Sequence, residues 1–160
     1  MSAWQQIGGT IASEFSDLPD LAELTRVCVR LTIAALLGGL LGFEREQKGK
    51  AAGVKTHMLV SLGSAIFVLI PLQAGVQPAE LTRVIQGIVS GIGFLGAGTI
   101  LKADTEDRVK GLTTAAGIWM TSAIGMTAGL GHEASAILCT LLALAIFAVM
   151  PRVMRLWDKD

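Results

Sequence analysis

Tyrosine is absent from the 160 residues, cysteine occurs twice, and only 16% of the side chains are charged. A soluble domain carries roughly a quarter charged residues. With 52% hydrophobic residues and a mean hydropathy of +0.61, the chain is not an ordinary soluble globule. Basic excess is missing as well: 13 Lys and Arg stand against 13 Asp and Glu, so the composition excludes nucleic acid as a partner. Cys28 and Cys139 lie far apart in apolar surroundings, which excludes a disulfide framework and a zinc-ligand spacing. The first 25 residues hold Glu14, Asp17, Asp20 and Glu23 but no Lys or Arg. A cleaved signal peptide needs a basic start, so the amino terminus is expected to be retained. No nucleophile stands beside a base: Ser61, Ser64, Ser90 and Ser122 fall in apolar stretches without a partner. The chain is therefore expected to be neither an enzyme nor a cofactor carrier.

Long apolar runs are plentiful. Residues 58–79, 84–101, 111–131 and 134–151 contain no charge, and about 20 apolar residues suffice to cross a bilayer as a helix. Residues 31–43 are too short alone, but a helix from Pro19 or Asp20 through Leu21, Leu24, Val27 and Val29 completes a first span. Arg26 and Arg30 near its entrance can lay their stems on apolar surface and send their heads to the interface. The sequence predicts an all-α polytopic membrane protein: a membrane domain over 19–160 with five transmembrane helices near 20–43, 57–76, 83–101, 111–131 and 134–152. Arg45, Lys48, Lys50, Lys55, Lys102, Arg108, Lys110, Arg152, Arg155 and Lys159 fall on one side, and among the loops only Arg83 falls on the other. By the positive-inside rule the amino terminus is outside and the carboxyl terminus cytoplasmic, as five spans require.

Trp4, Ile7, Ile11 and Phe15 recur at the steps of one helical face. They predict a short amphipathic helix over 1–18 on the outer face, packed on its own bundle or on a neighbouring subunit. Glycine marks three spans. Gly38 and Gly42 share a face of the first. Gly87, Gly91, Gly93, Gly96 and Gly98 crowd the third, and Gly117, Gly125 and Gly129 the fourth. Small residues let helix backbones approach closely in lipid, so spans one, three and four are expected to form a packed trio, with the Leu/Ala-rich fifth facing lipid. Residues 91–96 match a dinucleotide-binding fingerprint by letter, but no alternating strand and helix surround them. A sharper alternative is that the glycines of the third span weaken its helix and open backbone carbonyls to a cavity.

The densest chemistry lies after the first span. Glu44 and Glu46, each four residues before Lys48 and Lys50, make acid-before-base pairs of a few tenths of a kcal/mol on an exposed helix. Alternatively Glu44, near membrane depth, ligates a cation or proton or pairs with a basic group of another span. Two residues apart on a helix, Glu44 and Glu46 point to nearly opposite sides and cannot both hold one ion. Lys55, Thr56 and His57 open the second span, and Lys110, Thr113 and Thr114 the fourth; the hydroxyls can bond to helix carbonyls or neighbours. Asp104, Glu106 and Asp107 read as a solvated connection, since they lack a metal-loop spacing.

Three blocks carry a resemblance: Gly42-Phe43-Glu44-Arg45-Glu46 continuing through Gly49-Lys50 to Gly53-Val54-Lys55-Thr56-His57, then residues 88–98, then residues 109–117. In this order they resemble the signature of the MgtC/SapB family, over about Leu31 to Gly131. The resemblance implies a bacterial inner-membrane protein of about five spans, linked to magnesium limitation and, in the namesakes, to survival inside macrophages. It implies a regulator acting through membrane complexes such as the ATP synthase. The chain ends nine residues after Pro151 and so resembles the short SapB-like branch, without the soluble carboxyl-terminal domain of the namesakes. Two functions compete. One is regulation by helix contacts. The other is a small oligomeric transporter or channel for magnesium, a monovalent cation or protons. Candidate functional residues are Glu44, Arg45, Glu46, Lys50, Lys55, Thr56, His57, Lys110, Thr113 and Thr114, with Glu44 the one candidate metal ligand. The bilayer is one partner, and a homodimer is the expected assembly.

Overall fold

A computed structural model of the chain describes residues 2–16, 20–102 and 109–157. It is built of six helices: α1 (Ala3–Glu14), α2 (Leu21–Gln47), α3 (Val54–Gln73), α4 (Pro78–Ala97), α5 (Leu112–Gly129) and α6 (Glu133–Trp157). An antiparallel pair of two-residue strands, β1 (Leu101–Lys102) and β2 (Val109–Lys110), joins α4 to α5. This hairpin is not among the elements that the charge-free runs predict. The residues at its tip, including Asp104, Glu106 and Asp107, lie outside the described residues, as does Pro19.

Local signals account for the helix ends. Asp20 caps α2 by accepting from the Glu23 amide at 2.7 Å, and Glu23 sits at the positive end of the dipole. α2 runs to Gln47, so Glu44-Arg45-Glu46 belong to a helix and not to a loop. It stops at Gly49, whose φ of 62° suits a residue without Cβ. Pro78 occupies the first turn of α4, where its missing amide costs nothing. Gly111 enters α5 with a φ of 97°, and a Cβ there would collide with the Thr99 carbonyl.

The glycines sort into two groups. On α2, a Cβ at Gly38 would stand 2.6 Å from the His57 carbonyl oxygen, and one at Gly42 2.6 Å from Val54 Cα. On α5, a Cβ at Gly125 would stand 2.7 Å from Ser61 Cα, and one at Gly129 2.7 Å from Val68 Cγ2. Real Cβ atoms do not approach this closely, so α3 is gripped on one flank by α2 and on the other by α5, backbone to backbone. The trio is α2, α3 and α5, and not the predicted spans one, three and four. α5 also reaches beyond the trio, touching α4 and α6 as well as α2 and α3, and buries Thr114, Gly117, Ile118, Thr121, Ser122 and Ile124 among others. Close approach also shields polar groups, and Ser64 and Ser122 share a buried 2.7 Å hydrogen bond between α3 and α5.

α4 differs. It lies against α5 and, more thinly, α3, burying only Ile92 and Gly96. Within this chain a Cβ at Gly87, Gly91 or Gly93 would meet nothing within 4 Å, so these three residues are not packing glycines here. Gly96 rests on Ala115, where a Cβ would find ordinary contact at 3.5 Å, and Gly98 follows the helix as its cap. Nor does α4 break: its helix is continuous to Ala97. Gly87 and Gly91 instead line an apolar cleft of about 530 Å³ between α3 and α4.

Three helices, α2, α3 and Glu133–Met154 of α6, are long and apolar enough to cross a membrane. α4 begins with Glu80, Arg83 and Gln86, and α5 is rich in Thr, Ser and Gly, which lowers the apolarity of both. α1 is amphipathic and carries a capping box between Ser2 and Gln5, yet none of its residues is buried. Trp4, Ile7, Ile11 and Phe15 all face outward, so the helix does not pack on its own bundle.

Candidate functional site

The Lys- and Arg-rich end of the bundle gathers most of the chemistry. The last turns of α2 carry Arg45 inward, only 3% exposed. Its guanidinium pairs with the Glu44 carboxylate through Nε and Nη2, and Cζ lies 3.7 Å over the ring of Phe147 on α6. A buried Arg is costly without a counter-ion, which Glu44 supplies, and the Phe147 ring adds a cation–π contact. Glu44 Oε1 is left buried without a hydrogen-bond partner.

Glu46 leaves the helix on another side, as the two-residue spacing requires. Its Oε2 accepts from the Val54 amide at 2.8 Å and so caps α3, whose N-cap residue Gly53 has no side chain to do so. A Cβ at Gly53 would displace that carboxylate from its capping position. Neither Glu44 nor Glu46 forms an ion pair with Lys48 or Lys50 among the described residues. The acid-before-base pairs read from the sequence are replaced by an inward pair and a helix cap.

His57 lies one turn into α3, fully buried, with Nδ1 2.9 Å from the Gly53 carbonyl oxygen. Nε2 faces the neighbourhood of Gly117 on α5: a Cβ there would stand 3.6 Å from Nε2, 3.5 Å from Phe147 Cζ and 4.0 Å from Arg45 Cδ. Gly117 thus marks where side chains of α2, α3 and α6 come together against α5, at distances that would leave a Cβ in ordinary contact. Nε2 and, one turn deeper, Ser61 Oγ are buried without hydrogen-bond partners. Beyond them Ser64 continues a polar line down α3, opposite Thr121 and Ser122 of α5.

The other candidates divide. Lys50 and Thr113 join Glu44, Arg45, Lys48 and Arg152 around a pocket of about 580 Å³ beside α6. Thr114 is buried within α5, whereas Lys55, Thr56 and Lys110 are exposed and stand apart from the buried pair. No three His, Cys, Asp or Glu side chains converge among the described residues, so Glu44 has no companions for a metal ion there. Phe147, Arg152 and Ser61 were missed as partners of this cluster. Phe147 sits in a stretch that reads as lipid-facing and Arg152 in the basic tail after it, and their five-residue step, about 140° around a helix, gives no shared-face signal.

At the opposite end Arg30 reaches from α2 to the α5–α6 turn. Nη1 donates to the Gly129 carbonyl at 3.3 Å, and Nε lies 3.8 Å from Glu133 Oε1. Gln73 of α3 donates to Glu23 at 3.0 Å. These contacts tie the helices at the far end without forming a second buried cluster.

The chain is similar to several curated bacterial proteins. It is 39% identical to Protein SrpB of Synechococcus elongatus, covering 79% of this chain and 76% of that protein. It is 36% identical to the protein named putative magnesium transporter YhiD in Escherichia coli, covering 82% and 64%, and 42% identical to Protein MgtC of Brucella abortus, covering 79% and 52%. It therefore spans less than two thirds of the latter two. No solved structure matches. The model of the MgtC family matches residues 31–156, which include the Glu44–Arg45 pair, the capping Glu46, His57 and the glycines that bind α2, α3 and α5. With most of its length inside that match, and with three helices long and apolar enough to cross a bilayer, the chain is a membrane protein of the MgtC family.

Proposed function

We propose that this protein is a non-enzymatic regulator in the bacterial inner membrane, serving adaptation to magnesium limitation through helix contacts with a larger membrane complex. The family resemblance makes the membrane sector of the ATP synthase the expected partner. The reading takes α4 and α5 as spans beside the three apolar helices, giving five, with the amino terminus outside and the basic end cytoplasmic. The chain acts as a two-fold homodimer. The link to magnesium draws on the similarity to YhiD, named putative magnesium transporter, and on the family.

One observation carries the regulatory reading: two sets of glycines are used oppositely. Those of α2 and α5 draw three helices into backbone contact, which leaves little room along the axis of the bundle. Those of α4 lie open on a thinly held helix, where a partner helix could approach as closely as α3 approaches α2. A small transporter is the second reading, favoured by the orphaned Glu44 Oε1, His57 Nε2 and Ser61 Oγ, which would pass or hold a cation.

Flux through liposomes containing the purified protein separates the two. Magnesium, sodium, potassium and proton fluxes equal to those of empty vesicles, with insertion verified, support regulation. Flux of any one ion that falls in Glu44→Gln overturns it in favour of transport.

A further inference from the structure

The pocket beside α6 has a lopsided lining. Four cations, Arg45, Lys48, Lys50 and Arg152, surround one carboxylate, Glu44, and that carboxylate is engaged by Arg45. Lys48 and Lys50 form no ion pair among the described residues, and Arg152 donates to the Ala148 carbonyl of its own helix at 2.6 Å, which fixes its head without neutralising it. Among the described residues, three positive charges thus have no acidic partner around about 580 Å³. Thr113 adds a hydroxyl from α5. The remaining wall is apolar and comes from α6, where Met150 and Met154 are exposed on the outer surface. A pocket that is cationic on one side and apolar on the other, at the end of membrane-crossing helices, matches a group with a charged head and a greasy attachment.

We infer that this pocket binds a phosphate-bearing anion, with Lys48, Lys50 and Arg152 as its cationic contacts and Thr113 as a hydroxyl donor. The apolar wall makes an anionic phospholipid headgroup the better source than free phosphate. The inference rests on the basic rim and the shape of the pocket. It requires neither a conducting path nor a partner complex, so it stands or falls apart from the proposed function.

The test uses the full chain purified in a mild detergent, with bound lipid measured by native mass spectrometry on adding phosphatidylglycerol or phosphatidylcholine. The charge-neutral triple variant Lys48→Gln/Lys50→Gln/Arg152→Gln is compared with Arg83→Gln, which removes an exposed charge from the opposite end. Matched helicity and elution volume establish that each variant folds. The wild type and Arg83→Gln should retain phosphatidylglycerol over phosphatidylcholine, with the preference lowered at least about tenfold in the triple variant. Lipid retention unaffected by millimolar inorganic phosphate identifies the lipid as the source, whereas displacement by phosphate, absent in the triple variant, supports the same site with free phosphate as its ligand. Equal retention of the two lipids by the wild type, with no displacement by phosphate, overturns the site. So does a triple variant that binds like the wild type.

Discussion

Gly125 and Gly91 are both glycines on a helix of the same bundle, and they do opposite things. At Gly125 the backbone of α3 occupies the place of a side chain, while at Gly91 the space is empty. The same holds for the pairs: Gly38 and Gly42 are four apart and used, Gly87 and Gly91 are four apart and free. A small-residue spacing therefore reports that close approach is permitted, and the neighbours decide whether it happens. At Gly38 and Gly42 of α2 and at Gly125 and Gly129 of α5 the permission is spent within the chain, whereas Gly63 of α3 faces the same open cleft as Gly87 and Gly91. In α4 it remains available.

Breaking the tight side of this comparison should have the largest effect. Gly125→Leu must push α5 off α3 and should cost at least about 3 kcal/mol, seen as loss of folded protein or a large drop in unfolding temperature in detergent. Arg45→Met comes next. It strands the Glu44 carboxylate and removes the contact with Phe147, for a loss of about 3 kcal/mol by the same assay. Adding Glu44→Gln to Arg45→Met should recover part of that loss, and a double-mutant cycle reads the coupling. A smaller change is expected for Glu46→Ala, which deprives the Val54 amide of its cap, at about 1 kcal/mol. The open side of the comparison gives the smallest effect. Gly91→Ala should leave the unfolding temperature unchanged or raise it slightly, because alanine favours the helix and meets no neighbour.

Much of the fold was legible because lipid imposes simple rules. Charge-free runs marked the positions of α3 to α6, and Asp20 marked the start of α2. What the period of apolar residues could not convey was which helices touch. Gly87 and Gly91 look as good as Gly38 and Gly42 on a line of text, and only the placement of α3 between α2 and α5 separates them. The candidate site was legible in its densest residues, since Glu44 pairs with Arg45 and both Arg45 and His57 border Gly117. It was illegible where partners come from far along the chain: Phe147 is about a hundred residues from Arg45, and nothing local in either segment announces the contact. The competition for Glu46 was equally hidden. Helix spacing offered it Lys50, but an amide at the start of α3 needed an acceptor and was nearer to hand. In the same way the face of α1 was plain from its period, and what it would cover was not.

The central claim is that the open glycine face of α4 is a working contact surface on a scaffold that does not need it for folding. Growth at limiting magnesium of a strain lacking this protein, complemented by Gly91→Leu, tests it directly when membrane levels and unfolding temperature are measured alongside. The account predicts normal amounts of folded protein and failure to restore growth. Restored growth, or a variant that does not fold, would contradict it.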